Sequence, residues 1–136
     1  MKLLAIALLC AMLATADEAA DRTSIDAVIH SLKTAQPVSS LFTADADSDL
    51  ARLQALEQRL NAAVHTPWSE AGPPALVIDS MRFLTDDVVL VNAAEMQIGP
   101  MPRKFPVLFV MKRETSGWKI ASLKMLDASG LVLVRP

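Results

Sequence analysis

The chain has no tyrosine, one cysteine, two histidines and four glycines in 136 residues. Each shortage removes a class of chemistry. Without tyrosine, an oxyanion hole built from a tyrosine and a protonated acid has no phenol to use. The cysteine, Cys10, falls in a segment read below as a leader, so the remaining chain has no disulfide, thiolate nucleophile or Cys-based metal site. His30 and His65 form no H-x-x-x-H or H-x-E pattern, so no metal site is expected. The glycines are scattered and make no phosphate loop, and no cofactor motif is present. No basic stripe accompanies the net charge of −2; Arg103-Lys104 is a solvated pair, so nucleic acid is excluded as a partner.

The first sixteen residues read as a signal peptide. Met1-Lys2 is a short positive start, Leu3 to Leu13 is apolar, and Ala14-Thr15-Ala16 supplies a small-x-small cleavage site before Asp17. The apolar run is too short to remain as a spanning helix, so no stable membrane anchor is expected. Leu9 ahead of Cys10 argues against lipidation. The expected location is secreted or periplasmic. Residues 17–23 read as a loose mature N-terminus and 24–136 as one domain, long enough to bury a core without staples.

Thr23-x-x-Asp26 has a capping-box shape, and Ile25, Val28, Ile29 and Leu32 follow at helical spacing. His30 beside that stripe reads as a partly covered surface residue. Gln36-Pro37 ends the helix. Val38, Leu41 and Phe42 suggest a short helical turn. Asp45, Asp47 and Asp49 have the spacing of a calcium loop, but Leu50 and Leu56 stand where that loop needs glycine and glutamate. The acids read instead as capping the next helix, Asp49 to Val64, whose buried stripe is Leu50, Leu53, Leu56, Leu60 and Val64. Pro67, Gly72, Pro73 and Pro74 break it.

Strands follow at Ala75 to Leu84 and Val88 to Ile98 around Thr85-Asp86-Asp87. A long hairpin over Phe105 to Met125 turns at Glu114-Thr115-Ser116-Gly117, and Leu131 to Val134 reads as an edge strand. Val88 to Val91 and Val107 to Met111 are apolar at consecutive positions, so both sheet faces need cover. Two helices cover one face. A homodimer through the outer sheet face covers the other; the competing expectation is that Leu131 to Val134 folds back over it.

This order of elements resembles the α+β cone of nuclear transport factor 2 and ketosteroid isomerase. Leu41-Phe42-Thr43-Ala44-Asp45-Ala46-Asp47, the run Arg82 to Val91, and Gly117-Trp118-Lys119-Ile120-Ala121 look like three motifs of SnoaL-like domains, nearest the SgcJ/EcaC-type family of unknown function. The resemblance spans roughly residues 24–126. It implies a cone-shaped, curved antiparallel sheet packed against N-terminal helices, with a pocket between the two. The motifs are structural, so they say little of chemistry.

The acid–base candidates are Asp79, Glu95 and His65. Asp79 shares a face with Val77, Met81 and Phe83 by period two; on the inner face it is a base of raised pKa, on the outer face a surface charge. Glu95 has the same alternatives. His65 sits at a helix C-terminus, which favours a cation for structural reasons as well. Phe42, Trp68, Met81 and Phe83 are the pocket candidates. Three readings follow: an exported, dimeric module that binds a small apolar molecule or is purely structural; a small isomerase-, hydrolase- or cyclase-type enzyme; and a protein-interaction module.

Overall fold

The computed structural model describes residues 17–65 and 72–126, and the backbone of 131–132. The expected signal peptide and Trp68 lie outside the described residues. The architecture is α+β: two helices pack on one face of a mostly antiparallel sheet. The strands are β1 (Phe42–Ser48), β2 (Ala75–Thr85), β3 (Val88–Gln97), β4 (Arg103–Glu114), β5 (Gly117–Met125) and β6 (Leu131–Val132). They lie in the order β1-β5-β4-β3-β2, with β6 pairing β4.

Helix α1 covers residues 17–30 and ends in a 3-10 turn, Ser31–Lys33. Residues 17–23, expected as loose, are therefore helical. The cause is local and tertiary: Glu18 and Arg22 pair at 2.9 Å, and Asp21 is tied to the far end of the sheet. Thr23 is no cap. It lies inside the helix, and its hydroxyl donates to the Ala19 carbonyl at 3.1 Å. Ile25 and Ile29 are completely buried, and Leu32 nearly so.

β1 is a strand that the sequence conceals, because Ala and Asp are poor strand formers. It pairs with β5 in parallel, and that pairing overrides propensity. Asp45 and Asp47 thus lie on a strand, and only Asp49 stands at the start of α2 (Leu50–Val64). Its carboxylate accepts the Met125 N–H at 3.0 Å, while the Ser48 hydroxyl accepts the Leu50 N–H. The acid expected to cap its own helix instead fastens that helix to β5.

The hairpins follow the alternation of the sequence. β3 and β4 run in unbroken register from Val88↔Lys112 to Gln97↔Arg103. Gly117 has φ +121°, so the β4–β5 turn requires glycine there. Val89, Val91, Ala93, Val107, Phe109, Met111, Trp118, Ile120 and Leu123 join Ile25, Ile29 and Leu53 in one core. Each such aliphatic or aromatic side chain contributes about 1.5–3 kcal/mol by leaving water. A smaller cluster of Leu56, Leu60 and Phe105 continues towards the C-terminal end of α2.

The outer face carries Val88, Leu90, Pro106, Leu108 and Val110, all half-buried, with Val77 39% exposed. Among the described residues both helices pack on the opposite face. Leu131–Val132 pairs edge to edge with Arg103 and Lys104 of β4, so this stretch extends the sheet in its own plane.

Candidate functional site

The last turn of α1, the middle of α2 and the far end of β3 bring three charges together. Lys33 follows Leu32, which anchors the end of α1 in the core. Two contacts fix that end to β2: a His30 ring nitrogen meets the Leu76 carbonyl at 3.1 Å, and Lys33 Nζ donates to the Pro74 carbonyl at 3.3 Å. The other His30 nitrogen meets the Asp26 carbonyl at 2.9 Å, so the residue read as bland links α1 to the sheet. On α2, Glu57 stands between Leu53 and Leu60, both buried. The Gln97 amide donates to the Leu60 carbonyl at 3.1 Å and holds this part of α2 against β3.

Glu95 lies at the centre. It is completely buried, on the same face as Val91 and Ala93, with Leu76 and Phe105 opposite it on the neighbouring strands. Lys33 Nζ lies 3.3 Å from its Oε1, and 3.6 Å from Glu57 Oε1. Its Oε2 is buried with no hydrogen-bond partner among the described residues. Burial first, and the Glu57 carboxylate second, push the Glu95 carboxyl up to about 7; Lys33 opposes both. Near neutral pH the group therefore exchanges a proton, and when protonated it hydrogen-bonds the Glu57 carboxylate. In the ionised form Oε2 is a buried polar atom without a partner among the described residues, which costs about 1–3 kcal/mol.

The structure decides between the two readings of Asp79 and Glu95, and in opposite senses. A bulge between Ile78 and Ser80 shifts the period of β2. Met81 and Phe83 consequently pack on the core, while Asp79 sits at the bulge, 42% exposed and 3.3 Å from Lys104 Nζ. It is a surface ion pair. Met81 and Phe83 therefore do not share its face, whereas Val77, before the bulge, lies on the outer side with it. Glu95, by contrast, is on the inner face. His65 closes α2 with its N–H on the Ala62 carbonyl at 3.3 Å and is exposed; no contact joins it to Glu95.

Three of the pocket candidates, Phe42, Met81 and Phe83, line separate grooves, and Trp68 lies outside the described residues. Phe83 lines a groove with Asp21 and Arg113, Met81 another with Asp79 and Arg22, and Phe42 a third with Thr43 and Leu50. Lys33 and Glu57 were missed in the sequence, although Glu57 falls i+4 from Leu53 and i−3 from Leu60, inside the apolar stripe. Among the described residues no group of three His, Cys, Asp or Glu side chains could hold a metal ion, and no helix is long and apolar enough to cross a membrane.

No protein-family model matches the chain. No curated protein matches it in sequence. Among solved structures it is similar to a domain of unknown function with a cystatin-like fold from Nostoc punctiforme, 21% identical, with a TM-score of 0.47 over 80% of this chain and 75% of that one. It is also similar to a protein from Novosphingobium aromaticivorans described provisionally as an aromatic ring hydroxylase. That chain is 19% identical, with a TM-score of 0.45 over 82% of this chain and 94% of that one.

Proposed function

We propose that the chain is an exported SnoaL-like module that binds a small, largely apolar molecule at the Glu95 end of its inner sheet face, and that it does so as a homodimer. The observation that carries the ligand is a completely buried carboxyl whose Oε2, in the ionised form, has no hydrogen-bond partner among the described residues. Leu76 and Phe105 flank it on the neighbouring strands, and Lys33 and Glu57 stand beside it. A few polar groups converging in an apolar setting are what small-molecule sites require. The three sequence motifs, which fall on β1, the β2–β3 hairpin and the start of β5, support the SnoaL-like reading.

The dimer rests on the outer sheet face, where Leu90, Leu108 and Val110 are half-buried opposite the helices, with Arg82, Asn92 and Lys124 beside them. Export rests on the leader pattern before Asp17. Mass spectrometry of small molecules that co-purify with the recovered protein tests the ligand. A molecule retained by the parent and lost from Glu95→Gln and Lys33→Ala supports this reading. Equal retention by all three places the ligand elsewhere and defeats it.

A second reading has one observation in its favour. A carboxyl pushed up to about 7 beside an ammonium is suited to moving a proton, so the same locus could serve acid–base chemistry on the bound molecule. Turnover of the co-purified compound by the parent, absent in Glu95→Gln, distinguishes it from binding alone.

A further inference from the structure

β1 departs from β5, its partner among the described strands. Between the pairs Phe42↔Ile120 and Asp47↔Ser122 the chain advances five residues on β1 and two on β5. Thr43 to Ala46 therefore arch away from the ladder, as an irregularity of this size must. Under the arch lies a concavity of about 400 Å3, walled by the 3-10 turn Val38–Leu41 at one side and by Leu50 of α2 at the other. Its lining residues are the apolar Val38, Phe42, Ala44, Ala46 and Leu50 and the hydroxyl-bearing Ser39, Thr43 and Ser48. Among the described residues no charged one lines it.

One of those hydroxyls is anomalous. Thr43 is only 7% exposed, and its Oγ1 is buried without a hydrogen-bond partner among the described residues. Ser48, in contrast, uses its hydroxyl on the Leu50 N–H at 3.0 Å. A strand that leaves its ladder, a concavity of ligand size and an unsatisfied hydroxyl buried on one of its lining residues coincide at one place.

We propose that this concavity is a second binding site, for a small neutral molecule that carries one hydroxyl or carbonyl and seats its apolar body against Phe42 and Leu50. Neutrality follows from the lining, because a charged ligand would be desolvated there with no counter-charge. A polar atom on the ligand follows from Thr43, which gains its missing partner after a χ1 rotation towards the arch. The site is built from β1, the 3-10 turn and α2 and shares no residue with the Glu95 cluster, so it stands or falls independently of that proposal.

The probes are phenol and its apolar counterpart toluene, titrated into the 15N-labelled protein recovered from expression of the full chain. Phenol is expected to move the amide resonances of Phe42 to Ala46 and of Leu50. Thr43→Val keeps the shape and removes the hydroxyl; it is expected to weaken phenol by about fivefold to tenfold, the value of one neutral hydrogen bond, and to leave toluene unchanged. Thr43→Ser keeps phenol near the parental affinity, and Ala46→Leu, which fills the arch, loses both probes. Because Thr43→Val removes an unsatisfied hydroxyl, it should also melt no lower than the parent, which guards against a folding artefact. Phenol shifts confined to residues around Glu95, or equal phenol affinity in parent and Thr43→Val, would overturn the proposal.

Discussion

Asp21 accepts the indole N–H of Trp118 at 3.3 Å across 97 residues of sequence. The same carboxylate pairs with Arg113 at 2.6 Å, and the Arg113 guanidinium lies 4.5 Å from the Trp118 ring centroid. Phe83 meets the ring edge-on at 6.5 Å. Trp118 thus joins α1, β2 and the tip of the β4–β5 hairpin. Trp118→Ala is expected to cost about 3–5 kcal/mol, a large part of the stability of a domain this size, in a denaturant titration. Equal midpoints for variant and parent would refute the assignment.

Asp21 carries a pH signature of its own. The Arg113 hydrogen bond, with help from Trp118, lowers its pKa below the ordinary 3.8. The folded state therefore holds this proton less tightly than the unfolded chain. The resulting stabilisation is present above about pH 4 and is lost as pH falls through the depressed value. Asp21→Asn should be less stable than the parent at pH 6, with the difference shrinking under acid. Parallel melting curves for the two proteins from pH 6 to pH 2 would contradict this.

Glu95 has the opposite sign. Its folded pKa is raised from 4.5 to about 7, so between these values the folded state binds more protons than the unfolded chain. Stability then falls as pH rises through this window, by about 3 kcal/mol at most for a shift of this size. Glu95→Gln, which stays neutral, should match the parent near pH 4.5 and exceed it above pH 8. Thermal melts across that range test it; a gap that does not widen with pH rules the mechanism out.

The dimer is tested at Leu108, a half-buried position on the outer face beside Asn92 of β3. Sedimentation at micromolar concentration is expected to give a dimer for the parent and a folded monomer for Leu108→Glu. A parent that sediments as a monomer discards the shared sheet face.

The two long hairpins were legible because β-prone runs flank the polar turns Thr85-Asp86-Asp87 and Glu114-Thr115-Ser116-Gly117. In the fold the runs alternate, with Phe105, Val107, Phe109 and Met111 facing the helices and Lys104 and Lys112 on the other side. That alternation could also have placed Glu95, since it lies opposite Phe105 and continues Val89, Val91 and Ala93. The signal was masked by apolar residues on both faces of β3, which blur the period. β1 was illegible for a different reason. Its residues favour no strand, and only β5, far along the chain, makes it one. The bulge in β2 was hidden too, because no glycine or proline marks it, and with it went the face assigned to Asp79.

The parallel pair β1–β5 joins Phe42 to Ile120, while every other described strand pair is antiparallel and all but β4–β6 are sequence neighbours. Loop-closure entropy across some 80 residues must be met before this contact forms, which places it late in folding. A nascent chain that ends before Gly117 has β2, β3 and β4 complete, but neither a neighbour for β1 nor the indole that Asp21 needs. The sheet closes only when β5 has emerged, so the native state is withheld until that strand is synthesised.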